Sequence, residues 1–75
     1  MIDWIQLRED IAKIEHNIWM RWAQTILMLE SVSPKRVKRW KAFFIPYKNL
    51  AEKEKNKDRK QADKIITRIK KYVTI

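Results

Sequence analysis

Not one of the 75 residues is glycine. Glycine is the residue that enters left-handed backbone space without steric cost, so every turn here must use ordinary right-handed or extended dihedrals. Gly-rich phosphate-binding loops are excluded outright. What remains is a set of helices joined by short turns, and the spacing of the apolar residues points the same way.

The first helix is predicted from Asp3 to about Leu29. Asp3 can cap the early N–H groups, and Gln6 stands three residues on, in the spacing of a capping box. Trp4, Leu7, Ile11, Ile14, Ile18, Trp22 and Leu29 recur at three, four and seven, the period of one helical stripe. A second set, Ile5, Ala12, His16, Trp19 and Ala23, lies roughly 120° away at about 100° per residue. Glu9, Asp10, Lys13, Asn17, Arg21 and Gln24 form the polar back. Two separate apolar strips imply two partners. The longer stripe is expected to face the chain's own core, leaving the strip with His16 and Trp19 for something else.

Ser31-Val32-Ser33-Pro34 reads as a stop and a restart, with Ser33 as N-cap and Pro34 at the first helical position. The next helix is expected from Lys35 to about Phe44, setting Val37, Trp40 and Phe44 on one side and Lys35, Arg36, Lys38, Arg39 and Lys41 around the rest. Pro46 ends it. Tyr47-Lys48-Asn49-Leu50 reads as a connector and Ala51–Lys55 as a single helical turn. A last helix over about Asn56–Tyr72 carries one stripe of Ala62, Ile65, Ile66, Ile69 and Val73. The expectation is an all-α bundle, one domain over residues 1–75, with three helices plus a short fourth turn.

Charge is unevenly placed. The net +9 divides into −2 over residues 1–33 and +11 over residues 34–75. Such a surface attracts phosphates, acidic proteins or anionic lipid. There is no cysteine and a single histidine, so neither a disulfide nor a metal site is expected, and no cofactor is implied. No apolar run approaches the roughly 20 residues of a membrane span, and the first residues lack the pattern of a signal peptide. The expectation is a soluble, cytoplasmic protein. A chain this short commonly recruits a copy of itself to bury enough apolar surface, so a homodimer or higher homo-oligomer is expected.

Two stretches resemble one known family. Ile11-Ala12-Lys13-Ile14-Glu15-His16-Asn17-Ile18-Trp19 is similar to the "L-A-x-x-x-H-x-x-W" helix of the ryanodine-receptor repeat (RyR domain). Pro46-Tyr47-Lys48-Asn49-Leu50, followed by Glu52, Glu54-Lys55 and Asp58-Arg59, is similar to that family's "P-Y-x-x-L-x-E-x-E-K-x-x-D-R" segment. The two stand in the right order and, with the helix that follows, cover a little over half the chain. The resemblance is to short single-repeat proteins of bacteria and phages. At Gln24–Lys41, where channel repeats carry a Gly- and Trp-bearing loop, this chain has a longer first helix and a basic second one.

The resemblance implies a paired repeat that holds a nucleotide-like ligand, with Trp19 stacking on the base, His16 beside it and Asp58 as a polar contact. Tyr47, Lys55 and Arg59 of the second motif complete the candidate ligand site. Other roles for these residues stay open. Trp19 suits a core or interface, and His16 can be satisfied at an interface. Asp58 would favour the positive end of the last helix, and Arg59 can grip a phosphate or pair with a carboxylate such as Glu15.

No serine has a base nearby and no carboxylate pair has a reason to converge, so no enzyme activity is expected. Three readings follow. The first is a homo-oligomeric module that binds a nucleotide-derived anion, in the phage setting to sequester a host defence signal. The second is sequence-independent nucleic-acid binding through Lys35, Arg36, Lys38, Arg39 and Lys41. The third is a basic protein-interaction or inhibitor module.

Overall fold

A computed structural model of the chain describes residues 1–73. It contains helix α1 (Trp4–Leu29), helix α2 (Pro34–Lys41), a 3₁₀ turn (Tyr47–Asn49) and helix α3 (Glu52–Tyr72). The all-α architecture is the expected one, and no described residue has positive φ, as a chain without glycine requires.

The caps are local and fall where the sequence put them. Asp3 accepts from the Gln6 N–H at 3.0 Å, and Ser33 accepts from the Arg36 N–H at 3.3 Å with Pro34 behind it. The Gln6 side chain does not return to the cap; it donates to Asp10 at 2.9 Å. Two boundaries differ from expectation. Helix α2 stops at Lys41, because Phe43 and Phe44 donate three residues back, to Trp40 and Lys41, in a tightening turn before Pro46. Helix α3 begins at Glu52, and the expected separate turn over Ala51–Lys55 is its first turn. Glu52 and Glu54 occupy that turn, where carboxylates favour the positive end of the dipole. The short extra turn lies at Tyr47–Asn49 instead.

Helices α1 and α3 run antiparallel and meet at alanines. Ala12 and Ala62 are fully buried and share a core cluster with Tyr47 and Leu50, against which Ile11 and Phe43 pack. Small residues let the two backbones approach, so the inward strip of α1 is the one carrying Ala12, His16 and Ala23. This reverses the sequence expectation. The longer stripe turns outward, with Ile14, Ile18, Trp22 and Leu29 all exposed. His16 and Trp19 thus belong to the internal face. Ile65 and Val73, expected on the inner stripe of α3, are exposed as well.

Among the described residues no large side chain is fully buried. The molecule measures 51 × 23 × 14 Å with a radius of gyration of 15.0 Å, against about 11 Å for a compact domain of this length. No helix among the described residues is long and apolar enough to cross a membrane.

Candidate functional site

Three of the six residues in the candidate ligand site come together. His16, Trp19 and Asp58 line a cleft of about 340 Å³ between α1, α3 and the segment after α2. His16 is buried. Its Nε2 lies 2.7 Å from the carbonyl oxygen of Ile45; a carbonyl only accepts, so Nε2 carries the proton. The opposite nitrogen, Nδ1, stands 3.9 Å from Asp58 Oδ2. Burial pushes the Asp58 carboxyl above its ordinary range, and the pull of His16 only partly offsets it.

Trp19 is the centre of an aromatic cluster. It lies nearly parallel to His16 (6.0 Å, 16°) and presents itself edge-on to Trp40 (6.3 Å) and Phe43 (6.4 Å), with Phe44 tilted at 5.7 Å. These contacts fasten α2 and the following turn to α1. Phe43 and Leu50 complete the apolar wall of the cleft, and Glu15, Lys57 and Gln61 complete the polar one. Lys57 is paired with Glu54 at 3.0 Å. Two carboxylates against one committed ammonium make this cleft suited to an amine or a base edge and poorly suited to a phosphate.

Tyr47, Lys55 and Arg59 do not line the cleft and serve the fold, although Tyr47 is tilted 6.5 Å from the His16 ring. The buried Tyr47 hydroxyl donates to Glu9 at 2.6 Å, and Arg59 Nε donates to the other oxygen of Glu9 at 2.7 Å. Arg59 Nη1 also reaches Glu52 (2.6 Å) and Asn56 (3.0 Å). Lys55 stands 5.6 Å from the Tyr47 ring centroid and 3.6 Å from Glu52. The Tyr47 hydrogen bond, then Arg59, holds Glu9 below the usual carboxylate range, while burial and the Glu9 charge push the Tyr47 phenol up to about 12. Arg59 therefore pairs with a carboxylate of α1, as one reading held, but with Glu9 and not Glu15. Asp58 lies well inside α3, so the helix-start role falls to Glu52 and Glu54.

Sequence reasoning placed Glu9 on the polar back. A signal was present: Glu9 precedes Ala12 by three residues and His16 by seven, the spacing of the inward strip. Glu15, Phe43, Leu50, Lys57 and Gln61 were also missed as cleft residues, since the register between α1 and α3 brings them together.

The basic helix is a second site. Lys35, Arg36, Lys38, Arg39 and Lys41 are all exposed. From Ser31 to Ala51 there are six lysines and arginines and no carboxylate. Every ion pair among the described residues lies within or between α1 and α3, so none neutralises α2. Trp40 anchors this helix, against Trp19 and tilted over Trp22 at 5.6 Å, while Val37 is half-buried beside it. The five cations cover the rest of the helix, with Arg36 bordering the crevice that Trp22, Glu30 and Trp40 also line.

No cluster of three or more potential metal ligands occurs among the described residues. Compared with protein-family models, curated proteins and solved structures, the chain matches none.

Proposed function

We propose that this chain is a non-catalytic binding module that holds a nucleic-acid backbone along α2, without reading sequence. The observation that carries this reading is the fan of five exposed, unneutralised cations on a helix whose apolar side is spent on Trp19 and Trp22. Helix α2 keeps no outward apolar face to insert, which disfavours a lipid surface. Lysine and arginine hold phosphate oxygens, and contacts to phosphate carry no sequence information.

Eight residues span about 12 Å, enough to meet about four phosphates. The expected salt slope is then about −3.6, so affinity for DNA or RNA falls on the order of 100-fold between 50 and 200 mM salt. Binding measured by fluorescence anisotropy should show that slope, and Arg36→Glu with Arg39→Glu should weaken binding and flatten it. A flat salt response, or charge reversal without effect, would remove this reading.

A second reading is favoured by the meeting of Trp19, His16 and Asp58 in one cleft. In it the base of a nucleotide-like ligand occupies the cleft, its amine donating to Asp58, while its phosphates lie outside. The kinship with ryanodine-receptor repeats, and the sequestering of a defence nucleotide, belong to this reading. A ligand at a hundred times its dissociation constant would add about 2.7 kcal/mol of stability. Thermal shifts against nucleotides that persist at high salt and vanish in Asp58→Asn support it; shifts that Asp58→Asn leaves intact do not.

A further inference from the structure

The middle of the outer stripe of α1 is open in the monomer, although Ile11 packs on the core cluster and Trp40 tilts over Trp22 from one side. Ile14 is 55% exposed, Ile18 58% and Trp22 52%, values that belong to polar surface residues and not to an aliphatic row along one helix. The molecule as a whole is equally unclosed. Its accessible surface is 6276 Å², against about 4,900 Å² for a compact monomer of its mass. The excess, about 1,300 Å², is more than the roughly 800 Å² that each partner buries in a standard interface.

We propose that this face pairs with the same face of a second copy, the two α1 helices running antiparallel. Trp4, Leu7, Ile11, Ile14 and Ile18 alternate in steps of three and four, which is the seam of a two-helix coiled coil. An antiparallel register sets Ile11 against the partner's Ile14, Leu7 against the partner's Ile18, and Arg8 beside the partner's Glu15. Arg8 is bonded to Asp63 through Nε and Nη2, leaving Nη1 for that contact. Glu15 takes part in none of the ion pairs described above.

Charge selects both the partner and the direction. Residues 1–33 carry −2 and the rest +11, so α1 is the one part of the surface that two copies can bring together without facing basic against basic. A parallel pair would set Asp10 beside the partner's Glu15 and the two α2 helices side by side. The antiparallel pair sets the two α2 helices on opposite sides of the two-fold axis, the Trp19–Trp22 levels on which Trp40 docks lying about 24 Å apart along it.

Sedimentation equilibrium of the full chain tests this. The expected mass is twice 9.2 kDa, and Ile14→Glu with Ile18→Glu should return it to 9.2 kDa. The chain has no cysteine, so an equal mixture of Ile11→Cys and Ile14→Cys chains reports the register on oxidation. The mixed disulfide should exceed both like pairs. This holds even where the glutamate variant fails to fold, because the cysteine chains keep the seam apolar. A wild-type chain that stays at 9.2 kDa at 100 μM, or a dimer indifferent to the two glutamates, would overturn the proposal. Predominance of like pairs would overturn the antiparallel register.

Discussion

Glu9 is where the second half of the chain is tied to the first. Its two oxygens accept from Tyr47 and Arg59, residues 38 and 50 positions away, and Arg59 carries the tie on to Glu52. Removing the Tyr47 hydroxyl takes a hydrogen bond from a charged acceptor, so Tyr47→Phe should cost about 1.5 kcal/mol at pH 7 by urea denaturation. The pH dependence has a definite sign. The folded state holds the phenolic proton up to about 12, whereas the unfolded chain releases it near 10. Stability is therefore lost as pH rises through that window, by on the order of 2 kcal/mol, and Tyr47→Phe should remove that part of the alkaline loss. Asp58 works in the opposite sense from Glu9. Burial raises its carboxyl, so its ionised form opposes folding at neutral pH, and Asp58→Asn should raise the melting temperature at pH 7. A lower melting temperature would show that the His16 contact outweighs burial.

Helix α1 has two apolar strips, and periodicity revealed both without saying which faces inward. The bulky stripe has the greater hydrophobicity, but α1 and α3 cross where alanine lets them approach, at Ala12 and Ala62. The starts of α1 and α2 were legible because caps are local: Asp3 needs only Gln6, and Ser33 only Arg36. The end of α2 and the start of α3 were not, since they depend on how Phe43, Phe44 and Tyr47 dock on α1. Of the candidate ligand residues, His16, Trp19 and Asp58 share one cleft, whereas the commitment of Tyr47, Lys55 and Arg59 to Glu9 and Glu52 required the register between α1 and α3. Helix α2 is far shorter than the roughly 12–15 residues that hold a helix together alone, so it depends on Trp40. Trp40→Ala should cost about 2 kcal/mol and unwind α2 while α1 and α3 persist. Circular dichroism should lose the signal of roughly one eight-residue helix. Full retention of helicity would mean that Val37 and the phenylalanines hold it unaided.

At the scale of the molecule, charge and shape divide the work. The acidic, apolar end of the chain builds α1, and the basic remainder supplies a helix that no carboxylate among the described residues neutralises. An elongated body with a thin core leaves both surfaces open to partners. Charge asymmetry was plain in the sequence; that α2 makes no ion pair among the described residues was not, because pairing depends on where α2 docks on α1. The most direct test of polyanion binding along α2 is an amide chemical-shift titration of the labelled chain with a short oligonucleotide. The account predicts the largest shifts at Lys35–Lys41, fading as salt rises. Shifts concentrated at Glu15–Trp19 and Asp58 and persisting at high salt would contradict it, and would place the ligand in the cleft.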